Sequence, residues 1–284
     1  MIWSFKKLGD LPQQEFVLWE SLLEKRTGIQ LAQSHHVLLQ TQVSMRMREL
    51  GIETYDKYYD YVNDEVAEWQ VLVDRLVVKE TTFFRHRPSL DFVKQFLHKL
   101  TRQSVSFDQG HKSLEIWSVG CSTGEEPYTL AAIVNDHFEA QNRQAYFGVT
   151  ASDISLPALS IAREGVYSER SLSLVSDKER DAYFEPYSDG RYRVIDKFRK
   201  RVCFSQYNVL NLRDKPVQLM DIIFCQNLLI YFRRWRRRKI LDQLVRHLKP
   251  GGILVIGLGE ITDWQHDHMQ RVANEEVQTY IKIA

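Results

Sequence analysis

Between Ile116 and Val134 the chain reads IWSVGCSTGEEPYTLAAIV. An apolar run stops at Gly120, three small residues follow, and beyond Gly124 two carboxylates, Glu125 and Glu126, head a helical pattern. Glycines at the end of a strand let the backbone approach a ligand closely. The turn is neither GxGxxG nor a P-loop, which would place a Lys and a Ser/Thr after its second glycine. Glu125 and Glu126 stand there instead, and they would repel a triphosphate. A cationic or hydroxyl-rich ligand suits this chemistry. S-adenosylmethionine, with its sulfonium, its amino acid end and its ribose, is the candidate. Asp153, in VTASDIS at the end of the next strand pattern, is placed to grip a ribose, although it comes later than the roughly 20-residue spacing of dinucleotide folds. The alternative for the two glutamates is that they only complement the helix dipole.

The surrounding pattern predicts the elements that position these groups. From Leu11 to about Arg75, apolar residues recur three and four apart, and Gly28 and Gly51 sit where helices should stop. This predicts an N-terminal all-helical domain over 1–78. Strand and helix patterns then alternate: LEIWSVG, a helix from Glu125 to about Glu139, AYFGVTASD, a helix from Leu156 to Glu164, RVCFSQYNV, MDIIFCQNLLIYF, a helix from Trp235 to about Leu248, and GGILVIG. Such alternation implies a doubly wound, Rossmann-like α/β domain over 79–284, whose ligands lie beyond the carboxyl ends of its parallel strands. EEVQTYIKIA supplies a last, antiparallel strand. Residues 167–201 break the alternation and carry a hairpin signal at Asp189 and Gly190, which predicts an inserted β subdomain.

Bulk composition narrows the function classes. The 284 residues are 44% hydrophobic and 26% charged with a formal net charge of +1, so there is no global attraction to nucleic acid or an anionic membrane. Neither a secretory leader nor a stretch of roughly 18 to 20 apolar residues is evident, which points to a cytoplasmic chain without membrane insertion. Cys121, Cys203 and Cys225 lack paired spacing and read as buried or glycine-loop thiols, with no metal site.

WSVGCSTGEEPYTLA resembles the signature of the chemotaxis receptor methyltransferases, the CheR family. The likeness extends in order through ETTFFRHRPSLDFV, ASDISLPALSIAREGVYSER, FSQYNVLN, DIIFCQNLLIYF and LKPGGILVIGLGE, across nearly the whole chain. It implies an enzyme that transfers methyl from S-adenosylmethionine to glutamates of methyl-accepting chemoreceptor helices, leaving S-adenosylhomocysteine. By the same resemblance, Thr81 and Arg85 line the active site, Gly120 and Glu125 meet the cofactor, Asp153 holds the ribose, Asn208 and Val209 bracket the adenine, and Asn227 and Leu228 complete the cofactor contacts. Arg85 and Tyr231 are the catalytic candidates. A guanidinium matches the fork of a substrate carboxylate, and a glutamate with an ordinary pKa near 4.3 is already ionised at neutral pH, so alignment rather than proton removal is the task.

Two positions depart from the family: Lys79 where Asn is common, and Leu258 in GLGE where a His is usual. The basic run Arg233 to Lys239 is a candidate dock for an acidic partner or a solvated helix start. Arg46 and Arg48 match family residues that help dock the receptor, although the helical module holds more acids than bases. The short EPYSDGRYRV hairpin does not favour tethering through a receptor peptide, and a monomer is expected. The rival readings are a nucleic-acid methyltransferase, disfavoured by the charge balance and the lack of an (N/D)PP(Y/F) motif, and a non-catalytic S-adenosylmethionine-binding signalling module.

Overall fold

The computed structural model describes residues 10–31, 35–77, 80–103, 113–144 and 146–283. They fall into two units, Met1–Val78 with Tyr231–Arg233, and Lys79–Ile230 with Arg234–Ala284. Lys79 itself lies outside the described residues.

The smaller unit is helical: α1 (Gln13–Thr27), α2 (His36–Leu50), α3 (Tyr55–Asp64) and α4 (Val66–Leu76). The expected stops at Gly28 and Gly51 are real, since both adopt the left-handed conformation, with φ of 78° and 70°, that closes a helix at little cost only with glycine. Trp19, Leu39, Met47, Tyr58 and Leu72 fill its core. Arg46 is held inside this unit: its guanidinium forks onto the buried Glu68 at 2.7 and 2.8 Å and reaches Glu49 at 2.9 Å. Arg48 is exposed. Tyr231–Arg233 join the unit through an Ile29–Phe232 bridge, a 2.8 Å bond from the Gln30 N–H to the Tyr231 carbonyl, and a 2.6 Å Arg233–Glu24 ion pair.

The larger unit begins with α5 (Arg87–Gln103) and then alternates: β1 (Leu114–Val119), α6 (Glu125–Glu139), β2 (Phe147–Asp153), α7 (Leu156–Glu164). The insertion follows: β3 (Val166–Tyr167), α8 (Asp177–Tyr183), β4 (Phe184–Pro186), β5 (Tyr192–Val194) and α9 (Asp196–Arg199). β6 (Val202–Gln206), β7 (Met220–Cys225), α10 (Arg234–Arg246), β8 (Leu248–Ile256), β9 (Met269–Arg271) and β10 (Gln278–Lys282) complete it. The main sheet runs β6-β2-β1-β7-β8-β10-β9, parallel except for β10, which is antiparallel to both β8 and β9. The order reverses between β1 and β7, the switch point at which open α/β sheets bind ligands.

Both faces of this sheet are covered. Ile116, Val149, Ile222, Phe224 and Val255 pack with Val93 and Leu97 of α5 and Leu130 and Val134 of α6, while the alternate residues Trp117, Ile223 and Leu254 are also fully buried. In the insertion, β5 lies between β3 and β4 in a small antiparallel sheet. Its β4–β5 hairpin turns at Asp189 and Gly190, whose φ values of 58° and 68° suit Asp and Gly. Cys121 and Cys225 are buried, but Cys203 is exposed, because β6 is the edge of the main sheet. Among the described residues no helix is long and apolar enough to cross a membrane.

The basic run finds partners within the chain. Arg234 and Arg238 both pair with Asp263, and Arg236 and Lys239 lie over the Trp235 ring at 4.5 and 5.0 Å. Arg237 donates to the carbonyls of Glu260 at 2.6 Å and Ile230 at 3.3 Å. This offsets the cost of placing cations at a helix start and answers locally much of the charge that suggested an acidic partner.

Candidate active site

The carboxyl ends of four adjacent parallel strands, β6, β2, β1 and β7, bring together Asn208, Asp153, the Gly120–Gly124 turn, and Asn227 with Leu228. The turn after β1 is fixed from β2. Gly120 and Cys121 both donate to the Ser152 carbonyl, at 2.8 and 3.0 Å, and the Ser122 N–H donates to Asp153 Oδ2 at 2.8 Å. Asp153 Oδ1 accepts the Ser155 N–H at 2.9 Å, so one carboxylate ties the glycine turn to the start of α7. Each carboxylate oxygen has further lone-pair capacity, and Asp153 is partly exposed.

Gly120 has φ of 76°, and a Cβ added there would stand 3.0 Å from Leu228 Cδ1. The crest of the turn is therefore bare backbone with Leu228 as its wall. Gly124 starts α6 at φ of 96°, with Ala162 and Tyr167 too close for any side chain. Asn208 caps the short turn Val209–Asp214 by accepting the Leu210 N–H at 3.0 Å, and Val209 is 8% exposed. Asn227 is exposed and left-handed, at φ of 57°.

The two glutamates part company, as consecutive residues in the first turn of a helix must, since they project about 100° apart. Glu125, expected to meet a ligand, is 2% exposed. Its oxygens accept the hydroxyls of Thr123 at 2.7 Å and Ser171 at 3.3 Å. Glu126 remains partly exposed, takes the Ser118 hydroxyl at 2.7 Å and lies within the electrostatic reach of Arg85 and Glu260. Which glutamate faces outward depends on helix phase relative to the sheet, and the sequence carries no signal for it.

Thr81 and Arg85 belong to the segment that precedes α5. Phe83 N–H donates to the Ser171 carbonyl at 3.1 Å and Phe84 N–H to the Thr129 hydroxyl at 3.3 Å, which lays this segment along α6. Thr81 is half-buried, and Arg85 is exposed with its Nη1 on the Glu80 carbonyl at 2.9 Å. Tyr231 stands with the helical unit described above, and the cluster here is built from the larger unit alone.

Although part of Glu126 stays exposed, the protein packed around its carboxyl desolvates it and pushes it up to about 8; repulsion from Glu260 adds to this, and Ser118 and Arg85 oppose it. Burial likewise raises Glu125 to about 7. Above the ordinary value of 4.5, the folded chain keeps protons that the unfolded chain has released. The stability this confers is complete below that value and is lost as the pH rises toward 8. Urea titrations should therefore find the ligand-free protein less stable at pH 8 than at pH 6, with a shallower decline in Glu126→Gln. Parallel declines in the two proteins would rule this out.

The donor set suits S-adenosylmethionine. A raised carboxyl at Glu126 is a group that a neighbouring cation would return to its ionised form, Asp153 retains acceptor capacity for hydroxyls, and the bare Gly120 crest admits close approach. No lysine or arginine lies in the glycine turn to serve a phosphate.

The sequence model described as "CheR methyltransferase, SAM binding domain" matches residues 79–279, and that described as "CheR methyltransferase, all-alpha domain" matches residues 14–77. Chemotaxis protein methyltransferase 1 of Pseudomonas aeruginosa is 32% identical over 265 residues, covering 91% of this chain and 94% of that protein. Chemotaxis protein methyltransferase 2 of Vibrio cholerae is 30% identical over 250 residues, covering 87% and 85%. The chemotaxis protein methyltransferase of Salmonella typhimurium is 32% identical over 246 residues, covering 84% and 81%.

Proposed function

The chain belongs to the CheR methyltransferase family, and from that premise we propose that it is a protein-glutamate O-methyltransferase acting on methyl-accepting chemoreceptors in the cytoplasm. The observation that carries this reading is the carboxylate-flanked glycine turn at the β1–β7 switch point, with Asp153 beside it. When bound, S-adenosylmethionine supplies an electrophilic methyl group on a sulfonium sulfur. Gly120 and Leu228 would shape its seat, Asp153 would hold the ribose hydroxyls, Asn208 and Val209 would flank the adenine, and Thr81, Arg85 and Asn227 would close its edges. Glu126, rather than the enclosed Glu125, would face the cationic end. Glu125 instead knits the turn to Ser171 of the insertion.

The protein's own groups need move no proton. The acceptor glutamate is ionised at neutral pH, so the work is orientation and exclusion of water. Arg85 would hold one oxygen of the acceptor carboxylate and leave the other to attack. Tyr231 keeps the orienting role that the family resemblance implies. The internal pairing of the basic run favours receptor helices over nucleic acid as the macromolecular partner, with the enzyme acting as a monomer.

Incubation of the purified chain with receptor cytoplasmic fragments and S-adenosylmethionine, followed by peptide mass spectrometry, should reveal methyl esters on glutamates. Methyl found only on lysine, or only on nucleic acid supplied in parallel, would defeat the proposal.

A further inference from the structure

We propose that Glu260 is a positioning residue of the methyl-transfer site: its buried carboxylate draws the turn after β7 onto the turn after β8 and so sets the Asn227 backbone and the Leu228 side chain. The inference rests on the cofactor reading above. Glu260 is 3% exposed. Its Oε2 accepts the Gly257 N–H at 2.7 Å and its Oε1 the Ile230 N–H at 3.3 Å, and the N–H groups of Asn227 and Leu229 are directed to it as well. Amides from two separate turns thus converge on one carboxyl; burial pushes it above the ordinary carboxylate range and the amides pull against that, because bonds to the ionised acceptor are the strong ones.

Two further features belong to the same arrangement. A Cβ at Gly257 would stand 2.4 Å from Glu260 Oε2, so the carboxylate occupies the space that a side chain there would need. Arg237 stitches the two turns again, through the Glu260 and Ile230 carbonyls at 2.6 and 3.3 Å. The consequences reach the site through Asn227, whose left-handed φ of 57° asparagine tolerates better than most residues and which the paired amides of its turn hold in place. They also reach it through Leu228, the wall of the Gly120 crest. A third route is electrostatic, since Glu260 repels a charge on Glu126.

The test is calorimetry of S-adenosylhomocysteine binding to the full-length protein across pH, with thermal unfolding recorded for every variant. Absence of binding to the wild type would sink the cofactor reading itself. Given wild-type binding, Glu260→Gln turns one oxygen into a donor facing amide donors, and affinity should fall about ten- to a hundredfold. Its acid limb of binding should also move to lower pH. Glu126 would have lost a repelling neighbour, while Arg85, Ser118 and the Cys121 and Cys225 thiols around it stay in place. A residue that merely supports the fold would lower the unfolding temperature without moving that limb. Glu260→Asp keeps the charge one methylene short; it should weaken binding with the acid limb unmoved, and it decides the matter if the Gln variant does not fold. Wild-type affinity in either folded variant overturns the proposal, as does an unmoved acid limb in Glu260→Gln.

Discussion

Asp153→Ala should bind S-adenosylhomocysteine at least about a hundredfold more weakly and lose roughly 3 kcal/mol of folding stability, because two backbone donors lose a charged acceptor worth about 1.5–3 kcal/mol each. The donors are Ser122 and Ser155, at 2.8 and 2.9 Å, and they lie on different elements, the glycine turn and the start of α7. Removing the carboxylate therefore does two things at once. It deletes the group that would grip the ribose, and it releases Ser122, which is itself held at a left-handed φ of 48°. Asp153→Asn separates the two effects: its remaining oxygen can accept one amide while its NH2 confronts the other, so it should be intermediate in stability yet close to alanine in affinity. Urea unfolding and calorimetry measure the two quantities independently. An alanine variant that retained both would remove Asp153 from the site and take the ribose assignment with it.

What sequence made legible was governed by local chemistry. α6 runs from Glu125 to Glu139 and α7 from Leu156 to Glu164, as expected, because glycine turns and a serine cap punctuate them. The antiparallel last strand was expected and pairs with β8. Elsewhere the partner is distant and the chain gives no local sign of it. α10 was expected to run to about Leu248 but ends at Arg246, because Leu248 opens β8. β9 is three residues, MQR, too short for an alternation, and it exists because β10 offers an edge. MDIIFCQNLLIYF is apolar almost throughout, and β7 stops at Cys225, with Asn227 and Tyr231 on the segment after it as expected. The break follows from Asn227 at positive φ and from Glu260, thirty-three positions later, gathering the amides of the turn. The candidate site was legible in its residue types, a glycine turn flanked by acids with an aspartate on the next strand. Which of the two glutamates keeps some exposure was not, since only tertiary packing encloses Glu125 and leaves Glu126 in reach of Arg85.

Arg85→Ala should lower kcat/KM for receptor methylation roughly 30- to 5,000-fold, the range implied by the 2–5 kcal/mol lost on truncating one partner of a hydrogen-bonded charge pair, with a smaller loss of S-adenosylhomocysteine affinity. Arg85 is well placed to be selective in this way. Its Nη1 is anchored on the Glu80 carbonyl at 2.9 Å, while the side chain remains exposed where an incoming carboxylate can meet it. The residue before it is under strain: Phe84 holds φ of 55°, a conformation that costs a bulky residue about 1–3 kcal/mol and persists only where its surroundings enforce it. They do so here. Thr129 and Ser171 take the amides of Phe84 and Phe83, the Phe84 ring stacks on Tyr183 with centroids 6.0 Å apart, and the Arg87 guanidinium covers it at 4.4 Å while forking onto Glu179. The guanidinium is thus carried on a stiff backbone, which preserves the orientation that the chemistry requires. Arg85→Lys keeps a positive charge but loses the planar fork, so it should recover part of the rate without reaching wild type. Steady-state kinetics with receptor fragments, set beside calorimetry on the same variants, would expose the contrary case, in which turnover and cofactor affinity fall by the same factor and Arg85 serves the cofactor alone.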